Sequence, residues 1–222
     1  MLAVNGNICT RKRSHTALAL VVATAVSLAL AAGGVFAALR AARRTASEAG
    51  RFVKDFIALE PGRSTFDDAV RVAKAYQNRW EGIPTDQGLP SGCNWGRCDL
   101  AFIFENSWLH HLRLAPPTAL YASVHISEGV VTSHYVLFGS AGEKMPFFEV
   151  MVTESRTVPP GEARRVRTLK RNTWQEVIEL TPDATVSQRE QAYAFNLSCL
   201  SKIGGCRTRD ELLLPHSEQK SR

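Results

Sequence analysis

Hydrophobic positions in this chain follow three patterns: one unbroken run, several stretches of strict alternation, and segments that repeat every three to four residues. The unbroken run is Leu18 to Leu39, LALVVATAVSLALAAGGVFAAL, 22 residues without a charge. At about 1.5 Å per helical residue it reaches across a hydrocarbon core of about 30 Å, whereas a run of about ten to fourteen residues would mark a buried helix. A single-pass transmembrane helix is predicted there, after a short tail over residues 1–17. Good helix formers continue it as an arginine-lined stalk over residues 40–60, with Phe52, Phe56 and Leu59 on one face and Pro61-Gly62 as its end.

Beyond the stalk, a helix is predicted from Ser64 or Thr65 to Trp80, with Asp67 and Asp68 in its first turn and Phe66, Ala69, Val70, Ala73, Tyr76, Gln77 and Trp80 on its inner stripe. Asp99 to Glu105 alternates, placing Leu100, Phe102 and Phe104 on one strand face, and Asn106 or Ser107 caps a short helix through Trp108, Leu109 and Leu112. ALYASVHI and VTSHYVLF flank Ser127-Glu128-Gly129-Val130, the strongest hairpin signal in the chain. Pro146 to Ser155 and Asn172 to Leu180 read as further strands, separated by a basic turn over Arg156 to Arg171. A helix from Thr185 or Ser187 to Ile203 and a capping box at Thr208 and Glu211 complete the chain before a frayed tail over 216–222. The predicted fold is α+β, one domain over residues 61–215: a helix, an antiparallel sheet of about four to five strands, then a C-terminal helical segment.

LEPGRSTFDDAV, residues 59–70, resembles the start of the small outer-membrane assembly lipoproteins, where a short turn precedes a helix and then an antiparallel sheet. The resemblance implies the helix-then-sheet order. The lipoprotein cysteine and the Gly-x-Pro after the helix are missing, so no function is carried over.

With Glu128 and Gly129 as the two loop residues, Ser127 pairs with Val130 and the register of both strands follows. Leu120, Ala122, Val124 and Ile126 then share the core face with Val131, Tyr135 and Leu137, while His125 and His134 become diagonal neighbours on the other face. Two imidazoles there could start a metal site or an acid and base pair, although a catalytic zinc wants three protein ligands and the sequence places two.

Cysteine placement decides the compartment. Cys93 with Cys98 and Cys199 with Cys206 form two local pairs on the C-terminal side of the apolar run, and Cys9 stands alone before it. Two disulfides are predicted, as an oxidising space allows; a four-thiolate zinc site and free buried thiols are the alternatives. Charge does not orient the span, since Arg11, Lys12 and Arg13 on one side balance Arg40, Arg43 and Arg44 on the other, and Arg51 and Lys54 tilt the count slightly towards a cytoplasmic domain. The cysteines favour a signal-anchor with its C-terminal domain outside the cytoplasm. A cleaved signal peptide, with Val35 and Ala37 near the cleavage site, is the competing reading. Ala25, Ala29, Gly33 and Ala37 recur every fourth residue, a stripe where a protein partner or second copy could approach, or a chance product of an alanine-rich segment.

Net charge is +6, without the dense basic stripe and interleaved aromatics of a nucleic-acid binder. Neither a Gly-x-Ser-x-Gly elbow, a His-Glu-x-x-His pair nor a phosphate-cradling loop is present, so no catalytic residue, metal or cofactor is assigned. Candidate binding residues are Trp95 at the tip of the first cysteine pair, His125, His134, and Arg164 and Arg165 in the basic segment. The leading expectation is a membrane-anchored extracytoplasmic interaction domain for an envelope or surface assembly. Alternatives are a small-molecule or lipid receptor with a groove between the sheet and the Ser64 to Trp80 helix, and a metal-dependent hydrolase at His125 and His134.

Overall fold

The computed structural model describes residues 9–80, 93–140, 147–159, 164–170 and 173–214. The chain divides into two compact units, Met1–Arg40 and Ala41–Arg222, and helix α1 (Cys9–Ile57) contributes to both. In the first unit, the segment from Leu18 is long and apolar enough to cross a membrane, with mean hydropathy 2.2 in its apolar window. Leu18, Leu20, Val21, Leu28 and Leu30 are all exposed, an apolar surface that water alone would not leave uncovered.

The second unit begins at Ala41, twenty residues earlier than the predicted boundary of 61. The predicted stalk is part of that unit, and the face of Phe52, Phe56 and Leu59, expected to meet the domain, is buried in it. Phe52 and Phe56 are fully buried, and the Phe52 ring lies 4.9 Å from both Phe102 and Phe104 and edge-on to Tyr76 at 5.1 Å. Burying each phenylalanine contributes about 1.5–3 kcal/mol, which fixes this half of α1 in the core.

Helix α2 (Phe66–Ala75) starts where the hydroxyl and acids predict: Thr65 Oγ1 accepts from Asp68 N, and the Asp68 carboxylate accepts in return from Thr65 N. That contact, with smaller help from Arg71, holds the Asp68 carboxyl below its ordinary range. The helix stops at Ala75, before the predicted Trp80, and a 3-10 turn over Gln77–Arg79 follows. Tyr76 donates to Asp55 at 2.6 Å and Arg79 grips Glu48 at 2.6 Å, tying this segment to α1.

Six strands follow, β1 (Arg97–Glu105), β2 (Thr118–Ser127), β3 (Val130–Ser140), β4 (Phe147–Ser155), β5 (Arg164–Lys170) and β6 (Thr173–Leu180), in the order β1-β2-β3-β4-β6-β5. The short helix α3 (Ser107–His111) sits between β1 and β2 as predicted. The sheet is mixed, because β6 inserts between β4 and β5 and runs parallel to β4. Strand β5 corrects the predicted basic turn. Its alternation is charged and not apolar: Arg165 and Arg167 reach across to Glu176 on β6, so ion pairs stand where a hydrophobic period would have announced a strand.

The hairpin turns at Glu128 and Gly129, both at positive φ, and Ser127 pairs with Val130 as predicted. Two residues later the register shifts: Ile126 pairs with Val131 but His125 with Ser133, leaving Thr132 extra. This β-bulge reverses the facing of everything beyond it. His134, Val136 and Phe138 are buried, while Tyr135 and Leu137, predicted for the core, point to the other face.

Helix α4 (Val186–Ala192) begins in a capping box between Thr185 and Gln188 but ends after two turns. The predicted continuation to Ile203 breaks at Tyr193, because Phe195 packs on Phe138 at 5.7 Å and bridges to Leu213, and a 3-10 turn over Leu197–Leu200 follows. Cys93–Cys98 and Cys199–Cys206 are both disulfide-bonded, in place of zinc or free thiols.

Candidate functional site

The core helices meet one face of the sheet, the face carrying Leu100, Phe102, Phe104, Leu120, Val136 and Val152. The opposite face has an order that follows from the pairing. Ile103 pairs with Tyr121, Tyr121 with Leu137, Leu137 with Met151, Met151 with Val177 and Val177 with Val166. One apolar residue from every strand thus forms a single row at right angles to the strands, about 24 Å long at about 4.8 Å per strand. Each member keeps part of its surface exposed, up to 44% for Val166. The neighbouring rows are polar or small: Glu105, Ala119, Gly139, Glu149 and Gln175 on one side, Ala101, Ser123, Tyr135, Thr153 and Glu179 on the other. Partial burial raises the Glu149 carboxyl, and a hydrogen bond from Gln175 offsets part of that.

Trp95 sits at one end of this sheet. Its carbonyl accepts from Gly129 N at 2.7 Å and that of Gly96 from Glu128 N at 3.0 Å, so the Cys93–Cys98 ring caps the hairpin. The indole lies against Gly129 so closely that any Cβ there would collide with it, yet Trp95 remains 65% exposed. His125 lies on the exposed sheet face, paired through Nδ1 with the cross-strand carboxylate of Asp99.

His134 is elsewhere. The bulge turns it inward, so the expected His125–His134 pair on one face is not formed and the premise of the metal-hydrolase reading goes with it. Its Nε2 meets Tyr193 Oη at 2.9 Å and comes within 3.6 Å of Glu154, and Nδ1 has no hydrogen-bond partner of good geometry. Desolvation, helped by the nearby Arg189 cation, pushes the imidazole down to about 3, so His134 is neutral. Glu154 accepts from Arg189 Nη2 at 2.6 Å and from Nε at 3.1 Å, and Arg189 Nη1 reaches Glu60 at 3.3 Å. Burial raises the Glu154 carboxyl, the guanidinium opposes that, and burial likewise raises the Tyr193 phenol. This network joins β3, β4, α4 and the turn after α1; His134, Glu154 and Arg189 are buried and Glu60 alone reaches the surface, an arrangement that suits fastening better than catalysis.

Of the basic pair, Arg165 engages the buried Glu176; Arg164 is placed on β5, and its side chain lies outside the described residues. The five predicted residues are therefore dispersed: Trp95 and His125 at the hairpin end, His134 in the core, Arg164 and Arg165 on the far edge strand. The receptor groove predicted between sheet and α2 is filled by Phe52, Tyr76, Phe102 and Phe104. Sequence reasoning missed Glu154, although its place two residues beyond Val150 and Val152 marks a carboxylate on the core face in need of a cation. Ala25, Ala29, Gly33 and Ala37 are exposed on α1. Neither a protein-family model, a curated protein nor a solved structure matches this chain.

Proposed function

We propose that this chain is a single-pass, signal-anchored membrane protein whose C-terminal domain is displayed outside the cytoplasm as an interaction module of an envelope or surface assembly. Support for the anchor is the exposed apolar length of α1 from Leu18; support for the oxidising side is the pair of disulfides. The observation that carries the interaction role is the apolar row Ile103, Tyr121, Leu137, Met151, Val177 and Val166 on the sheet face away from the core helices. Protein interfaces have such an anatomy, an apolar centre with aromatic members bounded by polar residues. Charged residues in the flanking rows are Glu105, Glu149 and Glu179, with Arg164 opposite Glu179 on the edge strand.

A photo-crosslinking residue placed at Leu137 of the full chain in cells, with the exposed α2 position Arg71 as comparison, tests this role. A discrete high-mass adduct at 137 and none at 71 is expected. Absence of any adduct at 137, 121 and 151 would defeat it. Thiol labelling of intact cells carrying a Cys9→Ser chain, before and after reduction, tests sidedness: label blocked until reduction on the outer side is expected, and free cysteines reached only after lysis would place the domain in the cytosol.

A further inference from the structure

Within the second unit, a cleft of about 530 Å³ is lined by Arg44 and Glu48 of α1, by Arg79 and Trp80, and by Glu105 and Trp108 around the β1–α3 junction. Its volume lies in the range of small-molecule sites, about 300–1,000 Å³. The charges in it are not equivalent. Arg79 is neutralised by Glu48 at 2.6 Å and sits over the Phe104 ring at 5.3 Å, so it shapes the wall. Arg44 is exposed and has no acidic partner among the described residues. Glu105 accepts the Ser107 hydroxyl at 2.6 Å and has no cationic partner among the described residues. The Trp80 indole N–H is already donated to Ala73 O at 3.0 Å, leaving the ring as an apolar wall, and Trp108 is 66% exposed.

An unpaired cation, an unpaired anion and two indoles describe the complement of a small zwitterion whose positive end can donate hydrogen bonds. Sequence spacing narrows the source. Arg44 follows Leu39, the last residue of the charge-free run, by five residues, close enough in sequence for its long side chain to reach the headgroup layer that borders the hydrocarbon. Tryptophan is enriched in that layer, and an arginine near a helix end extends its side chain to it.

We infer that this cleft binds the headgroup of a primary-amine phospholipid of the phosphoethanolamine type, Arg44 donating to the phosphate and Glu105 accepting from the ammonium. Guanidinium and phosphate make charge-assisted hydrogen bonds, the ammonium gains both the carboxylate and an indole face, and a quaternary amine could not donate to Glu105. The inference rests on the membrane-anchored reading above.

Calorimetric titration of the full chain in uncharged detergent with dihexanoyl phosphoethanolamine lipid tests it. Dihexanoyl phosphocholine, dihexanoyl phosphatidate, dihexanoylglycerol and inorganic phosphate serve as the other ligands. Saturable binding of the amine lipid is expected, weakened about tenfold or more by Arg44→Gln and by Glu105→Gln. Phosphatidate should lose affinity with Arg44→Gln only, and phosphocholine should bind more weakly than the primary amine. Equal binding of dihexanoylglycerol, full competition by phosphate at equal concentration, or indifference to both substitutions would overturn it. Trp108→Ala, at an exposed position, gives a third variant should either charge substitution disturb folding. Carbonate extraction of cell membranes tests the anchor separately: a chain released from membranes that still binds the amine lipid removes the anchor alone, whereas a membrane-retained chain that binds none removes the cleft alone.

Discussion

Acidification should destabilise this domain through one residue. His134 has ordinary affinity for a proton when unfolded, near 6.5, but refuses it in the core until about pH 3. Its folded value is depressed, so the unfolded chain binds more protons anywhere between those limits. The His134 contribution to stability is therefore complete above pH 6.5, falls as pH drops through the window from 6.5 to 3, and levels off below it. Within the window the slope is about 1.4 kcal/mol per pH unit, amounting to about 3 kcal/mol by pH 4.5, a large share of the 5–15 kcal/mol that typically holds a domain together. The perturbation that isolates it is His134→Gln, which keeps an amide facing Tyr193 but cannot titrate. Urea unfolding of the full chain in uncharged detergent reads it out through tryptophan fluorescence, since Trp80, Trp95, Trp108 and Trp174 all lie beyond the apolar span. Glu154 titrates in both proteins, so the difference between the two stability curves reports His134 alone. Parallel curves from pH 7.5 to 4.5 would refute the reasoning.

Arg189→Met should cost about 3–5 kcal/mol by leaving the buried Glu154 carboxylate without its bidentate partner, and adding Glu154→Gln should recover much of it, as urea midpoints of the single and double variants will show. Gly129→Ala should destabilise by more than the roughly 1 kcal/mol of its positive φ, because the new methyl meets the Trp95 indole; the excess should shrink when Gly129→Ala is made in a Trp95→Ala chain, a coupling that a double-mutant cycle measures. Replacing Cys199 and Cys206 together with serine opens a short loop and should lower stability by about 2–3 kcal/mol, checked by thermal melting against the parent chain under non-reducing conditions.

Legibility varied with the range over which each feature is decided. The apolar span, the helix caps at Thr65 and Thr185, each one of two neighbouring positions that the sequence offers, and the Glu128-Gly129 turn depend on residues within a few positions of one another. The inward-facing alternation of Leu100, Phe102 and Phe104 belongs to the same class. The length of the C-terminal helix does not, because Phe195 leaves the helical path to pack on Phe138, a residue distant in the chain.

The candidate interaction face could not be found from sequence for a related reason. Half of its row depends on which way β3 points after Thr132, and a single extra residue moves Leu137 outward and His134 inward. Nothing in VTSHYVLF marks that residue, since Thr132 fits a strand as readily as a bulge. The row also needs β6 beside β4, an insertion set by where chains meet and not by local preference.

What sequence alone determined, then, is the long apolar helix, the pairing of neighbouring cysteines, the α+β class and most element starts, because hydrophobic period, capping and turn chemistry act over about one to five residues. Tertiary structure decided how far back along α1 the folded body begins, the sixth strand and its charged pairing, the buried His134–Glu154–Arg189 network and the apolar row across the sheet. These rest on register and on partners far apart in the chain, and a one-residue shift in pairing exchanges the two faces of a strand while leaving its composition unchanged.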